Sequence, residues 1–119
     1  SIPMALSGLG AFPSIASPRV VWVGVGQGAE ALTRIAESLD EGLAGLGFAR
    51  EARRFVAHIT LGRVRSTTRL AQLTAHLKTL EWAPPEPFTA EHLTLFQSTL
   101  TNTGSRYTVL ARPPFHTPS

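Results

Sequence analysis

The chain has 119 residues, of which 43% are hydrophobic and 16% are charged, so it is long and apolar enough to bury a core as one folded domain. It has no cysteine, which excludes disulfides, thiol nucleophiles and cysteine-rich zinc sites. The net charge is +3 and Lys78 is the only lysine, so the positive charge is almost wholly on arginine, whose planar guanidinium suits phosphate. With no apolar run of 18 residues and no basic segment before the apolar start, we expect no membrane span, no signal peptide and a cytoplasmic protein.

The first half of the chain alternates between predicted strands and a helix. An apolar strand at residues 1–9 is expected to break at the glycines and proline of residues 8–13, before a loop rich in serine and proline that ends at Pro18. A second strand covers residues 19–25, and its continuous apolar run is typical of a central strand. Apolar residues at three- and four-residue spacing then predict a helix over residues 27–46.

Three glycines lie between that strand and that helix, at Gly24, Gly26 and Gly28. Their spacing is G-x-G-x-G, whereas a dinucleotide-binding loop has G-x-G-x-x-G and a later parallel strand that ends in an acid. The pattern therefore predicts a strand-to-helix turn.

The second half begins with a predicted strand over residues 55–65, followed by a helix that Ser66 or Thr67 is expected to cap. Prolines at residues 83–87 predict a crossover loop. A strand over residues 88–100 and a last strand over residues 106–111 then predict an antiparallel hairpin.

The resulting order of elements is ββαβαββ. It predicts an α+β fold in which two helices lie on one side of a mainly antiparallel sheet, with no clean boundary between domains.

The strand at residues 55–65 carries the first candidate site. Alternate side chains of a strand point to opposite faces, so His58 and Thr60 project side by side. Imidazole gives or takes a proton near neutral pH, and a threonine hydroxyl can donate to a phosphate oxygen. Arg63 and Arg65 are candidate phosphate- or RNA-binding residues, although alternation places both opposite His58 unless a bulge intervenes. A packing or surface role for His58 stays open.

His92 and Thr94 repeat the same short H-x-T-L pattern and form an alternative candidate pair. His76 is expected on a helix surface, and His116 lies in a proline-rich tail. There is no H-E-x-x-H or G-x-S-x-G pattern, and the only aspartate lies in a predicted helix, so neither a metal site nor a serine-hydrolase triad is predicted.

The sequence from His58 to Val64 resembles the second H-x-T motif of the two-histidine phosphoesterases. The similarity is to the bacterial and archaeal RNA 2′,3′-cyclic phosphodiesterases, also called 2′-5′ RNA ligases. Further blocks resemble that family in the same order, at Gly8–Pro13, Pro18–Val25, Leu95–Leu100 and Gly104–Tyr107.

The resemblance implies a bilobal α+β fold whose two halves each contribute one H-x-T strand to a central cleft. It implies that the 2′,3′-cyclic phosphate of an RNA end lies between two histidines, with no metal or cofactor. One histidine activates water and the other protonates the leaving 3′-oxygen, which yields a 2′-phosphate; the reverse reaction is ATP-independent 2′-5′ ligation to a 5′-hydroxyl end. His58 is then assigned as the base, although by symmetry either histidine can take either role, and Thr60 holds phosphate oxygens.

The family's first H-x-T motif lies upstream of the Gly8–Pro13 block, and this chain begins just before that block. We therefore expect residues 1–119 to form a single domain or the C-terminal portion of one, without the first H-x-T half. Its expected partners are RNA ends and either a second copy of the chain or a complementing N-terminal half. The alternative from another class is a non-catalytic RNA- or nucleotide-binding domain that keeps one H-x-T strand to hold phosphate.

Overall fold

The computed structural model describes residues 1–116, in which strands and helices form the predicted α+β fold. The strands are β1 (Ile2–Met4), β2 (Leu6–Pro13), β3 (Pro18–Val25), β4 (His58–Arg63), β5 (Phe88–Ala90), β6 (Leu95–Thr101) and β7 (Gly104–Ala111). The helices are α1 (Ala29–Gly45) and α2 (Leu70–Thr79).

The strands pair in three small sheets rather than in the single sheet expected from the sequence. β2, β3 and β4 form a three-stranded sheet with β3 at its centre, as the apolar run of β3 predicts. β1 pairs with β5, and β6 pairs with β7 in the expected hairpin. Every one of these pairings is antiparallel.

The predicted break at residues 8–13 is wrong, because β2 continues through this segment to Pro13. Gly10 is paired with Trp22 of β3, and the indole ring lies over the Gly10 backbone, where a Cβ atom would overlap it. The glycine thus permits a close approach inside a strand rather than ending the strand.

The single strand expected over residues 88–100 is also wrong, because it is divided between β5 and β6. In between, His92 forms an isolated bridge with Pro114, and the Leu93 N–H donates to the Pro113 carbonyl at 3.0 Å. The chain therefore moves from the β1–β5 sheet to the β6–β7 sheet, which a hydrophobic pattern along one strand does not reveal.

Helix α1 begins two residues later than predicted and ends one residue earlier. Gly28 precedes it with φ of 93°, in the left-handed region that favours glycine. The glycine-rich segment is therefore the predicted strand-to-helix turn.

Helix α2 begins at Leu70, so the predicted cap at Ser66 or Thr67 is wrong. The residue before the helix is Arg69, which has φ of 63°. The Ser66 hydroxyl instead accepts the Thr68 N–H at 3.1 Å, in a turn that precedes the helix.

The best-buried apolar side chains among the described residues cluster around the three-stranded sheet. Four of the five belong to β2 or β3 or directly precede β4: Pro18 is less than 2% exposed, Val23 2%, Ala11 7% and Ala57 9%. The fifth is Met4 at 6%. By contrast, Leu100 and Tyr107 of the β6–β7 hairpin are 85% and 66% exposed. β2, β3 and the residue before β4 therefore hold most of the buried side chains, whereas all six residues of β4, which carries His58, are exposed.

The contact between Gly10 and Trp22 makes a testable prediction. Gly10→Ala should lower the free energy of unfolding by about 1–3 kcal/mol, since the indole ring must move to admit the methyl group. Urea denaturation followed by circular dichroism measures the change. Gly8→Ala, on the same strand with no atom within 4 Å of the added carbon, is the matched control and should change it by less than about 0.5 kcal/mol. Equal effects of the two substitutions would show that the indole does not make this contact.

Candidate active site

His58 and Thr60 lie on one face of the β2–β3–β4 sheet. His58 is paired with Gly24 of β3, and Thr60 is paired with Trp22. Residues directly opposite each other on antiparallel strands share a face, so the imidazole, the hydroxyl and the indole project to the same side. The juxtaposition of His58 and Thr60 predicted from strand alternation is present.

A β-bulge brings Arg63 to the same face. Trp22 is paired with Thr60, but its neighbour Val21 is paired with Gly62, so Leu61 is an extra residue on β4. The alternation is thereby shifted, and Arg63 lies opposite Val20 on the face of His58. Simple alternation predicted that Arg63 would lie on the other face of the sheet from His58. That prediction is wrong because of the bulge.

The face that carries His58 opens into a groove of about 910 Å³. Three parts of the chain line it. The strands contribute Phe12, Pro13, Val20, His58, Thr60 and Arg63; helix α1 contributes Thr33, Ala36, Glu37 and Asp40; and the segment before β4 contributes Glu51, Arg53, Arg54, Phe55 and Val56. Arg65 lies beyond the end of β4 and does not line this groove.

A backbone hydrogen bond and two aromatic rings orient the imidazole of His58. The Nδ1 atom lies 2.6 Å from the Val56 carbonyl oxygen, which can only accept, so Nδ1 carries the proton that it donates. In the neutral ring this leaves a lone pair on Nε2. The Phe12 ring meets the imidazole edge-on, with centroids 5.2 Å apart, and the Trp22 ring centroid lies 6.0 Å away.

The sequence reasoning did not assign a role at the site to Phe12 or Trp22. Phe12 and Trp22 also contact each other, with ring centroids 5.1 Å apart, so they form an apolar wall beside His58. The glycines opposite Trp22 and His58, Gly10 and Gly24, were the signal that could have indicated a large side chain lying across the strands.

Charged groups of both signs line the part of the groove away from His58. Arg53 and Arg54 lie on the segment before β4, and Glu37, Asp40 and Glu51 also line the groove. The Asp40 carboxylate accepts the Glu51 N–H at 2.8 Å, so it ties helix α1 to this segment. Arg53 and Arg54 were not identified from the sequence, since their position in the groove depends on this packing.

The alternative pair His92 and Thr94 lies elsewhere. Both residues fall between β5 and β6, and neither lines the groove of His58. His76 is exposed on α2, as expected. Across residues 1–116 no three histidine, aspartate or glutamate side chains cluster in a way that could hold a metal ion, and none of the helices there is long and apolar enough to cross a membrane.

Comparison with known proteins gives a consistent set of similarities. The family model described as LigT-like phosphoesterase matches residues 23–107, well over half of the chain; the match includes the last three residues of β3 and all of β4 with His58. An RNA 2′,3′-cyclic phosphodiesterase of Aeropyrum pernix is 39% identical over 105 residues, which cover 88% of this chain and 60% of that protein. Proteins of the same name from Aquifex aeolicus and Methanocaldococcus jannaschii are 37% and 34% identical over 106 and 109 residues, covering 87% and 92% of this chain and 55% and 61% of theirs.

The chain thus spans between 55% and 61% of the length of these three relatives. The matched residues include the whole of β4, with His58, Thr60 and the bulge that places Arg63 on their face. The chain belongs to the LigT-like phosphoesterase family.

Proposed function

We propose that this chain is part of an RNA 2′,3′-cyclic phosphodiesterase, an enzyme that hydrolyses 2′,3′-cyclic phosphate ends of RNA to 2′-phosphate ends. The observation that carries the proposal is that His58 and Thr60 share one face of β4, to which the bulge at Leu61 adds Arg63, and that all three line one groove. The names of the relatives from three organisms support the same activity. The same site could join a cyclic phosphate end to a 5′-hydroxyl end without ATP. The 5′-oxygen would then replace water, forming a bond to phosphorus as the bond from phosphorus to the 3′-oxygen breaks, which leaves a 2′-5′ linkage and a 3′-hydroxyl.

His58 is the proposed general base. Its Nδ1–H is donated to the Val56 carbonyl, so the lone pair on Nε2 is available to take a proton from water. The water oxygen forms a bond to phosphorus as the bond from phosphorus to the 3′-oxygen breaks. An acid other than His58 donates a proton to the 3′-oxygen. The products are a 2′-phosphate and a 3′-hydroxyl.

Thr60 and Arg63 are proposed to hold the phosphate oxygens. Thr60 supplies a hydroxyl donor two residues from His58 on the same face, and Arg63 supplies a guanidinium that can donate two parallel hydrogen bonds. Negative charge on the phosphoryl oxygens is stabilised in the transition state by such fixed donors. The rings of Phe12 and Trp22 contact the imidazole and are proposed to hold its orientation.

The acid in this scheme is a second histidine on the other side of the phosphorus atom. We propose that residues 1–119 form a single domain or the C-terminal portion of a two-histidine phosphoesterase domain. The other H-x-T strand would come from a complementing N-terminal half or from a second copy. The relatives support this division, since they extend well beyond the part that matches this chain. The proposed RNA partners are ends that carry a 2′,3′-cyclic phosphate, the 2′-phosphate ends produced from them, and 5′-hydroxyl ends for ligation.

One observation favours a second candidate function, a non-catalytic nucleotide-binding module. His58 is the only histidine that lines the groove among residues 1–116. One histidine with a threonine and an arginine can bind a phosphate without supplying both an acid and a base. Binding of a nucleoside 2′,3′-cyclic phosphate without turnover, even when a second H-x-T strand is supplied by an added N-terminal half, would support this module.

The hydrogen bond to Val56 predicts the tautomer of His58. At a pH where the ring is neutral, nitrogen NMR should find the proton on Nδ1, because the carbonyl oxygen can accept only from that atom. His76 is the internal reference, since its ring makes no such bond within the described part of the chain. A proton on Nε2 of His58 would contradict the arrangement and remove the support for its role as base.

His58→Ala is expected to reduce turnover of a nucleoside 2′,3′-cyclic phosphate by at least about 100-fold, as is typical when a general base is lost. Phosphorus NMR measures the rate and identifies the product as the 2′-phosphate. His76→Ala, which changes an exposed histidine outside the groove, should leave the rate unchanged.

His92→Ala tests the alternative site in the same assay. If turnover survives the loss of His58 but is abolished by the loss of His92, the chemistry belongs to the His92–Thr94 segment and the assignment to β4 is wrong.

Arg63→Ala is expected to weaken binding of a nucleoside 2′-monophosphate about tenfold, which corresponds to about 1.4 kcal/mol for a charged hydrogen bond to phosphate. Arg65→Ala is the matched control, since it removes the same charge from a residue that does not line the groove; it should change the dissociation constant less than about twofold. Titration calorimetry measures both. Equal weakening by the two substitutions would indicate a general charge effect and would argue against the bulge as the feature that recruits Arg63.

A further inference from the structure

The groove of His58 continues along the segment before β4, where Arg53 and Arg54 line it. Neither guanidinium has a role in the chemistry proposed for His58, Thr60 and Arg63. Both side chains are exposed, and within residues 1–116 neither forms an ion pair. Two free cations therefore lie in the same groove as the proposed phosphate site.

Acidic residues of the groove hold this segment in place. The Asp40 carboxylate accepts the Glu51 N–H at 2.8 Å and lies 4.0 Å from the Arg50 guanidinium. The Glu51 side chain in turn accepts the backbone N–H of Arg53 at 3.4 Å. Two of the three carboxylates that line the groove thus bind this segment's own groups, and they fix the backbone that carries Arg53 and Arg54.

Phe55 also lines the groove, and its ring is 42% exposed. A ring next to two guanidinium groups is the combination that binds single-stranded RNA, since bases stack on aromatic faces while arginine binds the backbone. Arg54 lies four residues before His58, a reach of at most about 14 Å along an extended chain. The two residues are therefore close enough in the groove for one short RNA strand to contact both.

We propose that Arg53 and Arg54 form a second phosphate-binding subsite, which binds internal phosphodiester groups of the RNA strand that leads to the end held at His58. The inference rests on the proposed function and adds to it a preference for an oligoribonucleotide over a mononucleotide. The mononucleotide contacts the wall of His58, Thr60 and Arg63, and the longer strand contacts the two arginines as well.

The test compares two ligands that the proposed reaction does not consume, an oligoribonucleotide that ends in a 2′-phosphate and a nucleoside 2′-monophosphate. The unchanged chain should bind the oligoribonucleotide at least about tenfold more tightly. The double variant R53A/R54A should lose that preference while binding the mononucleotide within about twofold of the unchanged chain. The slope of the logarithm of affinity for the oligoribonucleotide against the logarithm of salt concentration should become shallower by about 1.4, since each phosphate contact on a single strand contributes about 0.7.

The matched control is R34A/R112A, which removes the same charge from two exposed arginines that do not line this groove. It should leave the preference intact. The inference is overturned if the unchanged chain shows no preference, if the control loses the preference as fully as R53A/R54A, or if R53A/R54A weakens both ligands equally. The proposed function fails separately, if turnover of the cyclic phosphate and binding of the mononucleotide do not depend on His58.

Discussion

The antiparallel pairing of β3 with β4 determines which side chains meet at the candidate site. Gly24 opposite His58 and Trp22 opposite Thr60 set the face to which the imidazole and hydroxyl point. The extra residue Leu61 then shifts the alternation, so that a guanidinium two residues later joins the same face. A regular strand would separate the histidine from the arginine by the thickness of the sheet, and a phosphate could not contact both from one side.

The aromatic side chains beside the imidazole depend on the small residues of the neighbouring strands. Trp22 lies across Gly10, where any side chain would overlap the ring, and it approaches Gly24 on its own strand. Phe12 completes the wall and meets His58 edge-on. The site thus lies where an exposed strand, β4, pairs with the more buried β3, and the two rings contact the imidazole from the side of the neighbouring strands.

Among residues 1–116, His58 is the one histidine that lines the groove. Hydrolysis of a cyclic phosphate also needs an acid for the leaving 3′-oxygen, which lies on the side of phosphorus opposite the incoming water. In the proposed reaction, the wall of His58, Thr60 and Arg63 would supply a base and donors for the phosphate oxygens. The relatives extend beyond the matched part, and the proposed complementing half would supply the acid. Arg53 and Arg54 line the same groove, so the proposed binding of the RNA strand and the proposed chemistry would share one surface.

The sequence by itself determined the α+β class, the extent of α1, the terminal hairpin and the shared face of His58 and Thr60, because these follow from local periodicity of side chains along one element. The predicted break of the strand at residues 8–13 was wrong. Along the sequence, a glycine that makes room for an indole ring cannot be told from a glycine that ends a strand. Only the tertiary structure decided that Arg63 lies on the side of His58, because a bulge is a property of two paired strands. It likewise decided that Arg53 and Arg54 line the groove, because their placement depends on packing between segments distant in the chain.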